Sequence, residues 1–218
     1  MNELRTTEPA NPEGKGVNEL LLDINQSRPT GSVAKPGSQI LADMFTSMLI
    51  LSSGFKYRPL VGAANYLYRV RDEWSLSLIA PGEWSSSRRA GFVGICLLQN
   101  DMTWTIAPST QLSQNNRTSD ALRRFYNAFV KSLDTDLTLE EVLPFYVDKL
   151  PYYPRLYANA LSHSIFTSIV LGDQTATCCR DWGALTPPAN THLPALAAMN
   201  IREWLHSHYS LNYHWCSS

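Results

Sequence analysis

The side chains best suited to chemistry crowd towards the C-terminus. All five histidines (His163, His192, His206, His208 and His214) lie at or beyond residue 163, together with Cys178, Cys179 and Cys216. His206 and His208, followed by His214 and Cys216, offer four side chains of the types that bind zinc. Residues two apart on a helix face different ways, so this pair converges only where a helix has already ended. No CxxC or HExxH frame accompanies them, and Trp204, Tyr209, Tyr213 and Trp215 are interleaved. An aromatic latch is the simpler reading of that stretch, and no cofactor is implied.

Cys178 and Cys179 precede Arg180, which could depress a thiol pKa, and His163 or His192 could serve as base. Nothing local suggests an oxyanion hole, and free cysteine is more often a small inert hydrophobe, so no catalytic residue is assigned. Glu140 with Glu141 and Asp134 with Asp136 are paired carboxylates, but acids beside a helix start also serve capping and the dipole. Arg88 and Arg89, joined by Arg123 and Arg124, make a candidate anion patch. A solvated loop is the competing account of the first pair.

The elements that must position these groups begin with a tail. Residues 1–36 are rich in Pro, Gly, Asn and Glu, with one apolar island at Leu20, Leu21, Leu22 and Ile24, and are expected to be flexible unless that island docks. Ser38 can cap a helix carrying Ile40, Leu41, Met44, Phe45, Met48, Leu49 and Leu51, with Gly54 near its end. Strand signals fill residues 66–106. Trp74, Leu76, Leu78 and Ala80 alternate with Ser75 and Ser77, which predicts a half-exposed strand. Residues 92–98 are apolar on both faces, as a covered central strand would be. Asn100 and Asp101 favour the positive φ of a tight hairpin turn. Beyond residue 111 the periodicity turns helical: Leu122, Phe125, Tyr126, Phe129 and Leu133 share a side after Thr118 or Ser119. Thr138 and Glu141 form a capping box cut short by Pro144, and 156–171 is apolar nearly all round. A last helix is expected over 191–208, with Pro194 in its first turn.

The fold class is therefore α+β: a four-stranded antiparallel meander with an N-terminal helix and a C-terminal helical half. The divisions fall at 1–36, 37–110 and 111–218, with one compact body over 37–218 as the alternative. The formal net charge of -1 supplies no long-range field and argues against a nucleic-acid binder, although Tyr66, Tyr68, Trp74, Trp84 and Trp104 could stack bases; at least three of them read as core. No apolar run approaches the roughly 20 residues of a membrane span. The first residues lack a signal-peptide core and the cysteines lack a disulfide spacing, so a cytoplasmic setting is expected.

The order Tyr66-Leu67-Tyr68-Arg69, then Leu76-Ser77-Leu78-Ile79-Ala80-Pro81-Gly82-Glu83-Trp84, then Phe92-Val93-Gly94 and Asp101-Met102-Thr103-Trp104-Thr105 resembles the uncharacterised family known as domain of unknown function 2452. The likeness covers about residues 55–106, and that family brings no activity to carry over. The expectation for function is a non-enzymatic interaction or assembly subunit with a protein partner or a second copy of itself. The alternatives are a metal protein or enzyme using the His/Cys-rich C-terminus, and a ligand or nucleic-acid binder using the aromatic sheet.

Overall fold

The computed structural model describes residues 13–112, 115–139, 150–173 and 178–184. Helix α1 spans Glu13–Gln26 and α2 Gly37–Leu51; strands β1, Ala64–Val70, and β2, Glu73–Ser77, follow. After a short 3-10 turn come α3, Ser86–Arg89, and strands β3, Phe92–Leu98, and β4, Trp104–Pro108. The helical half supplies α4, Asn116–Ser132, α5, Tyr152–Leu171, and α6, Cys179–Ala184.

The four strands form one antiparallel sheet, and the two expected hairpins are present: β1 pairs with β2 and β3 with β4. The meander is not. The order is β2-β1-β3-β4, so β3 lies beside β1 rather than β2. Residues 78–91 cause this: the chain leaves the sheet after Ser77, passes through the 3-10 turn and α3, and re-enters on the far side of β1. The Tyr68 hydroxyl donates to the Ile79 carbonyl at 2.8 Å and fixes that exit. Both central residues of the β1–β2 turn take positive φ, Arg71 at 51° and Asp72 at 68°, the geometry that matches strand twist in a two-residue hairpin. In the β3–β4 turn the left-handed residue is Met102 (φ 63°), not Asn100 or Asp101. The Asp101 carboxylate is committed elsewhere: it accepts from the Thr103 amide at 3.1 Å and the Thr103 hydroxyl at 2.7 Å.

A bulge shapes β3. Leu67 pairs with Gly94 but Tyr68 pairs with Phe92, so Val93 is the extra residue. Val93 and Gly94 both become buried on the core side, while Phe92 passes to the outer face beside Tyr66 and Tyr68. The expectation that β3 is covered on both sides holds only in part, since Ile95 on the outer face is 40% exposed. Two glycines are demanded by contact rather than by φ. A Cβ on Gly94 would lie 2.5 Å from the Ala107 carbonyl oxygen, and one on Gly91 2.2 Å from that of Arg69.

Helix α2 is the centre of the molecule. Of its 15 residues 13 are buried, so it has no solvent face; it lies between the sheet, which it meets at β4, and helices α4 and α5. It starts behind Pro36 without a side-chain cap, so Ser38 does not cap it. Phe45 meets Phe125, Tyr126 and Phe129 of α4 at ring separations of 5.4–5.9 Å. Asn115, ahead of the expected Thr118 or Ser119, opens α4 by accepting from the Thr118 amide at 3.0 Å. The apolar helix expected at 156–171 is α5; it buries Tyr157, Ala158, Leu161 and Ile165 and leaves Phe166, Val170 and Leu171 exposed. The hydroxyls of Thr46, Ser164 and Ser168 are buried without a partner among the described residues. One hydrophobic cluster includes residues of α2, the sheet, α4, α5 and α6, so a division near residue 110 does not separate two cores. The capping box at Glu141 and the helix expected at 191–208 lie outside the described residues.

This packing separates two kinds of substitution. Gly94→Ala is expected to cost about 1–3 kcal/mol, because the Cβ meets backbone that cannot swing away. Ser168→Ala removes an unpartnered buried hydroxyl and is expected to leave stability unchanged or raise it by up to about 1 kcal/mol. Urea unfolding of both variants checks this, and a Gly94→Ala protein as stable as the parent would show that the β3–β4 contact is not tight.

Candidate functional site

A cleft with a volume of about 620 Å³ opens where the arm before α2 crosses the β3–β4 hairpin. Lys35 of the arm, Gln39 and Asp43 of α2, and Asp101, Thr103 and Thr105 of the hairpin line it. Asp43 stands among Leu41, Ala42, Met44 and Phe45 on a helix that has no wet side, so its carboxylate is held inside with its side chain only 5% exposed. A buried carboxylate needs partners. The Lys35 ammonium donates to Asp43 Oδ2 at 2.6 Å and to Asp101 Oδ2 at 2.5 Å, and the Gln39 amide donates to Asp43 Oδ1 at 2.6 Å. With the two Thr103 bonds to Asp101 Oδ1, all four carboxylate oxygens accept a hydrogen bond.

Each charge feels burial differently. Burial pulls the Lys35 pKa down, but attraction to Asp43 and the hydrogen bonds to Asp101 and Asp43 outweigh it, and the value ends above 10.5. For Asp101, burial acts upward and is overcome by the bonds from Lys35 and Thr103, so its carboxyl lies below 3.8. For Asp43 burial wins over Lys35 and Gln39, and its carboxyl is raised. Two carboxylates sharing one lysine thus have opposite shifts, because Asp43 is enclosed by the apolar helix while Asp101 gains a backbone amide and a hydroxyl. With both carboxylates ionised, one net negative charge remains on the triad. The set holds no nucleophile with an adjacent base; its hydrogen bonds clamp the arm, α2 and the β3–β4 hairpin to one another.

The residues singled out from sequence stand as follows. Arg88 on α3 stacks over the Trp84 ring with its guanidinium carbon 3.9 Å from the centroid, and Arg123 pairs with Asp120 at 3.0 Å. Arg89 and Arg124 are exposed on α3 and α4. Two of the four are thus engaged locally. His206, His208, His214 and Cys216 lie outside the described residues, as do His192, Glu140 and Glu141. Cys179 is fully buried, and Cys178 donates to Asp181 at 3.3 Å. Arg180 binds Asp134 at 3.2 Å and Asp136 at 2.5 Å, so those carboxylates hold a guanidinium rather than act as an acid/base pair. His163 is exposed on α5. Of the five sheet aromatics, Tyr68 and Trp104 are fully buried and Tyr66, Trp74 and Trp84 half-buried, so two rather than three are wholly core. No helix among the described residues is long and apolar enough to cross a membrane.

Sequence reasoning passed over Lys35, Asp43 and Asp101. The available signal was Asp43 itself: an acid inside an apolar stripe must find a cation, and Lys35 is eight residues upstream. Comparison with known proteins adds nothing to this geometry: no protein-family model, curated protein or solved structure matches the chain.

Removing the lysine should expose the logic of the triad. Lys35→Met leaves two buried carboxylates without their cation and is expected to cost about 3–5 kcal/mol, part of it recovered in Lys35→Met/Asp43→Leu. The pH dependence has a definite sign. In the parent, the Lys35 contribution is complete below 10.5 and is lost as pH rises through the raised folded value. The Asp101 contribution is present above 3.8 and is lost as pH falls through the lowered one. In Lys35→Met the already raised Asp43 rises further, so that variant should gain stability relative to the parent on acidification and lose it as pH rises. Chemical denaturation across pH tests this, and parallel parent and variant profiles would refute the role given to Lys35.

Proposed function

We propose that the protein is a non-enzymatic interaction subunit that presents α1 to the apolar groove of a protein partner. One observation carries this reading: α1 is docked through Asp23 and leaves its leucines outward. Asp23 accepts from Arg58 at 3.3 Å and from the Tyr152 hydroxyl at 3.0 Å, while Leu20, Leu21, Leu22 and Ile24 are 38–55% exposed. An amphipathic surface helix ordinarily does the reverse. Residues 13–36, assigned from sequence to a tail, are a helix and an arm pinned at three points: Asp23, Thr30, whose amide donates to Asn100 at 2.8 Å, and Lys35. Leu20 and Ile24, four positions apart, share one side of the helix at the spacing of helix-in-groove anchors, and exposed apolar clusters of this kind mark contact surfaces.

The polar cleft supports a second reading, a site for a small polar ligand, since Gln39, Gln99, Thr103 and Thr105 line it around the Lys35 triad. The interaction reading stands ahead because the triad is satisfied internally and asks for no further partner.

Leu21→Asp/Leu22→Asp should leave unfolding within about 0.5 kcal/mol of the parent, as expected of exposed positions. The same change should abolish a photo-cross-link from a benzoylphenylalanine at position 24 to a defined protein in the native cell, and any self-association seen by sedimentation equilibrium. A large loss of stability would place the leucines in the core. A monomer giving no cross-link would dismiss α1 as a recognition helix.

A further inference from the structure

The β1–β2 hairpin turn approaches the N-terminus of α4, and a cleft of about 160 Å³ lies between them, lined by Arg69, Arg71, Ser87, Asn115, Arg117 and Thr118 together with Asp72. Three guanidinium groups face one carboxylate there, which leaves two positive charges unbalanced in a chain whose net charge is -1. The Arg69 side chain is only 10% exposed, yet it makes one hydrogen bond, from Nη2 to Asp72 Oδ1 at 3.2 Å. Its Nε is buried and has no partner. Arg71 has no acidic partner among the described residues. Arg117 binds Asp72 through both Nε and Nη2, the forked grip that fits a planar or tetrahedral oxyanion.

The walls are rigid. Arg69 donates its amide to the Gly91 carbonyl at 2.8 Å, and only glycine fits at that approach. Asn115 is fastened on both sides, donating to the Ala90 carbonyl at 2.8 Å while capping Thr118. The dipole of the 17-residue α4 adds to the positive potential at its first turn.

We propose that this cleft is an oxyanion site that takes a phosphate monoester, with Arg69, Arg71 and Arg117 as its cationic ligands and Asp72 as a built-in competitor. A phosphate monoester carries close to two negative charges at neutral pH and brings the cleft to balance. The volume admits a phosphoryl group but not a nucleoside beside it, so the rest of the ligand lies outside. Asp72 is exposed and sits in the turn, placed to yield its grip on Arg117 to a stronger anion. Free phosphate compounds and a phosphorylated serine on a polypeptide share this chemistry.

The test titrates the full chain with inorganic phosphate at constant ionic strength, following thermal unfolding and the amide resonances of Asn116 to Thr118. Saturable stabilisation with localised shifts is expected. Arg71→Ala, at an exposed position that folding does not need, should weaken binding about tenfold, and Asp72→Asn should strengthen it about tenfold. A phosphoserine tripeptide, its unphosphorylated counterpart and inorganic phosphate then separate the sources: tighter binding of the phosphopeptide assigns the site to a polypeptide, and equal binding to free phosphate compounds. The proposal is overturned if phosphate acts no differently from chloride at equal ionic strength. It is equally overturned if Asp72→Asn lowers stability without raising phosphate affinity, which would make Asp72 only a structural counterion.

Discussion

The Lys35 ammonium stands 2.6 Å from Asp43 and 2.5 Å from Asp101, and three parts of the chain meet at that nitrogen: the arm that carries α1, the central helix, and the β3–β4 hairpin. Among the described residues no other side chain joins all three at a single atom. Helix α2 is buried on almost every side; Asp43 fixes its rotation and its position along the axis by requiring the cation, and Ser47, whose hydroxyl accepts from the Trp104 amide at 3.0 Å, ties the same helix to β4. Desolvating three charges consumes much of what their attraction returns, so the triad adds less to net stability than its short distances suggest. Its contribution is to register. A displaced helix would strand an ion in a core whose members include Met44, Phe45 and Leu49, and no such arrangement is competitive.

The sheet has its own fixed point in the bulge at Val93. By inserting one residue opposite Leu67, β3 sends Val93 and Gly94 inward and Phe92 outward, and the outer face acquires an aromatic cluster of Tyr66, Tyr68, Phe92 and Trp84. Arg88 caps this cluster by lying over Trp84, and Arg69 lies over Trp74 at 4.8 Å. Cation–π contacts of this kind let guanidinium groups approach the sheet without an acid for each. The half-buried Trp74 and Trp84 thus serve as seats for the Arg69 and Arg88 guanidinium groups.

The strands themselves were legible because alternation is a local property: Trp74 and Leu76 against Ser75 and Ser77 needs no knowledge of the rest of the chain. Strand order was not, because nothing within residues 78–91 declares on which side of β1 the chain returns. The two glycines came closest to declaring it. Gly91 stands just before β3 and Gly94 within it, in an otherwise bulky run, and a strand that must let the Arg69 and Ala107 carbonyls press close has neighbours on both sides. The candidate site was hidden for a related reason. Lys35, Asp43 and Asp101 are ordinary residues separated by 8 and 58 positions, and no spacing rule links them. The arginine positions illustrate the complement. Adjacent pairs such as Arg88 and Arg89 draw the eye, but a helix or turn points neighbours apart, whereas Arg69, Arg71 and Arg117 converge only after the hairpin and α4 are built.

The two polar centres lie at opposite ends of the sheet. Since β1 and β3 run antiparallel, the turn at Arg71 and Asp72 is at one end of these strands and the turn at Asp101 at the other. Seven residues of extended chain separate them by roughly 23 Å, beyond a Debye length of about 8 Å at physiological salt. The negative triad and the cationic cleft therefore do not neutralise each other. A chain that reads as almost uncharged is in its fold a molecule with two poles, each surrounded by its own field. Near-neutral composition excludes a uniform field over the whole surface; it does not exclude a local one, and the folding of Arg117 onto the β1–β2 turn creates such a field from residues 45 positions apart.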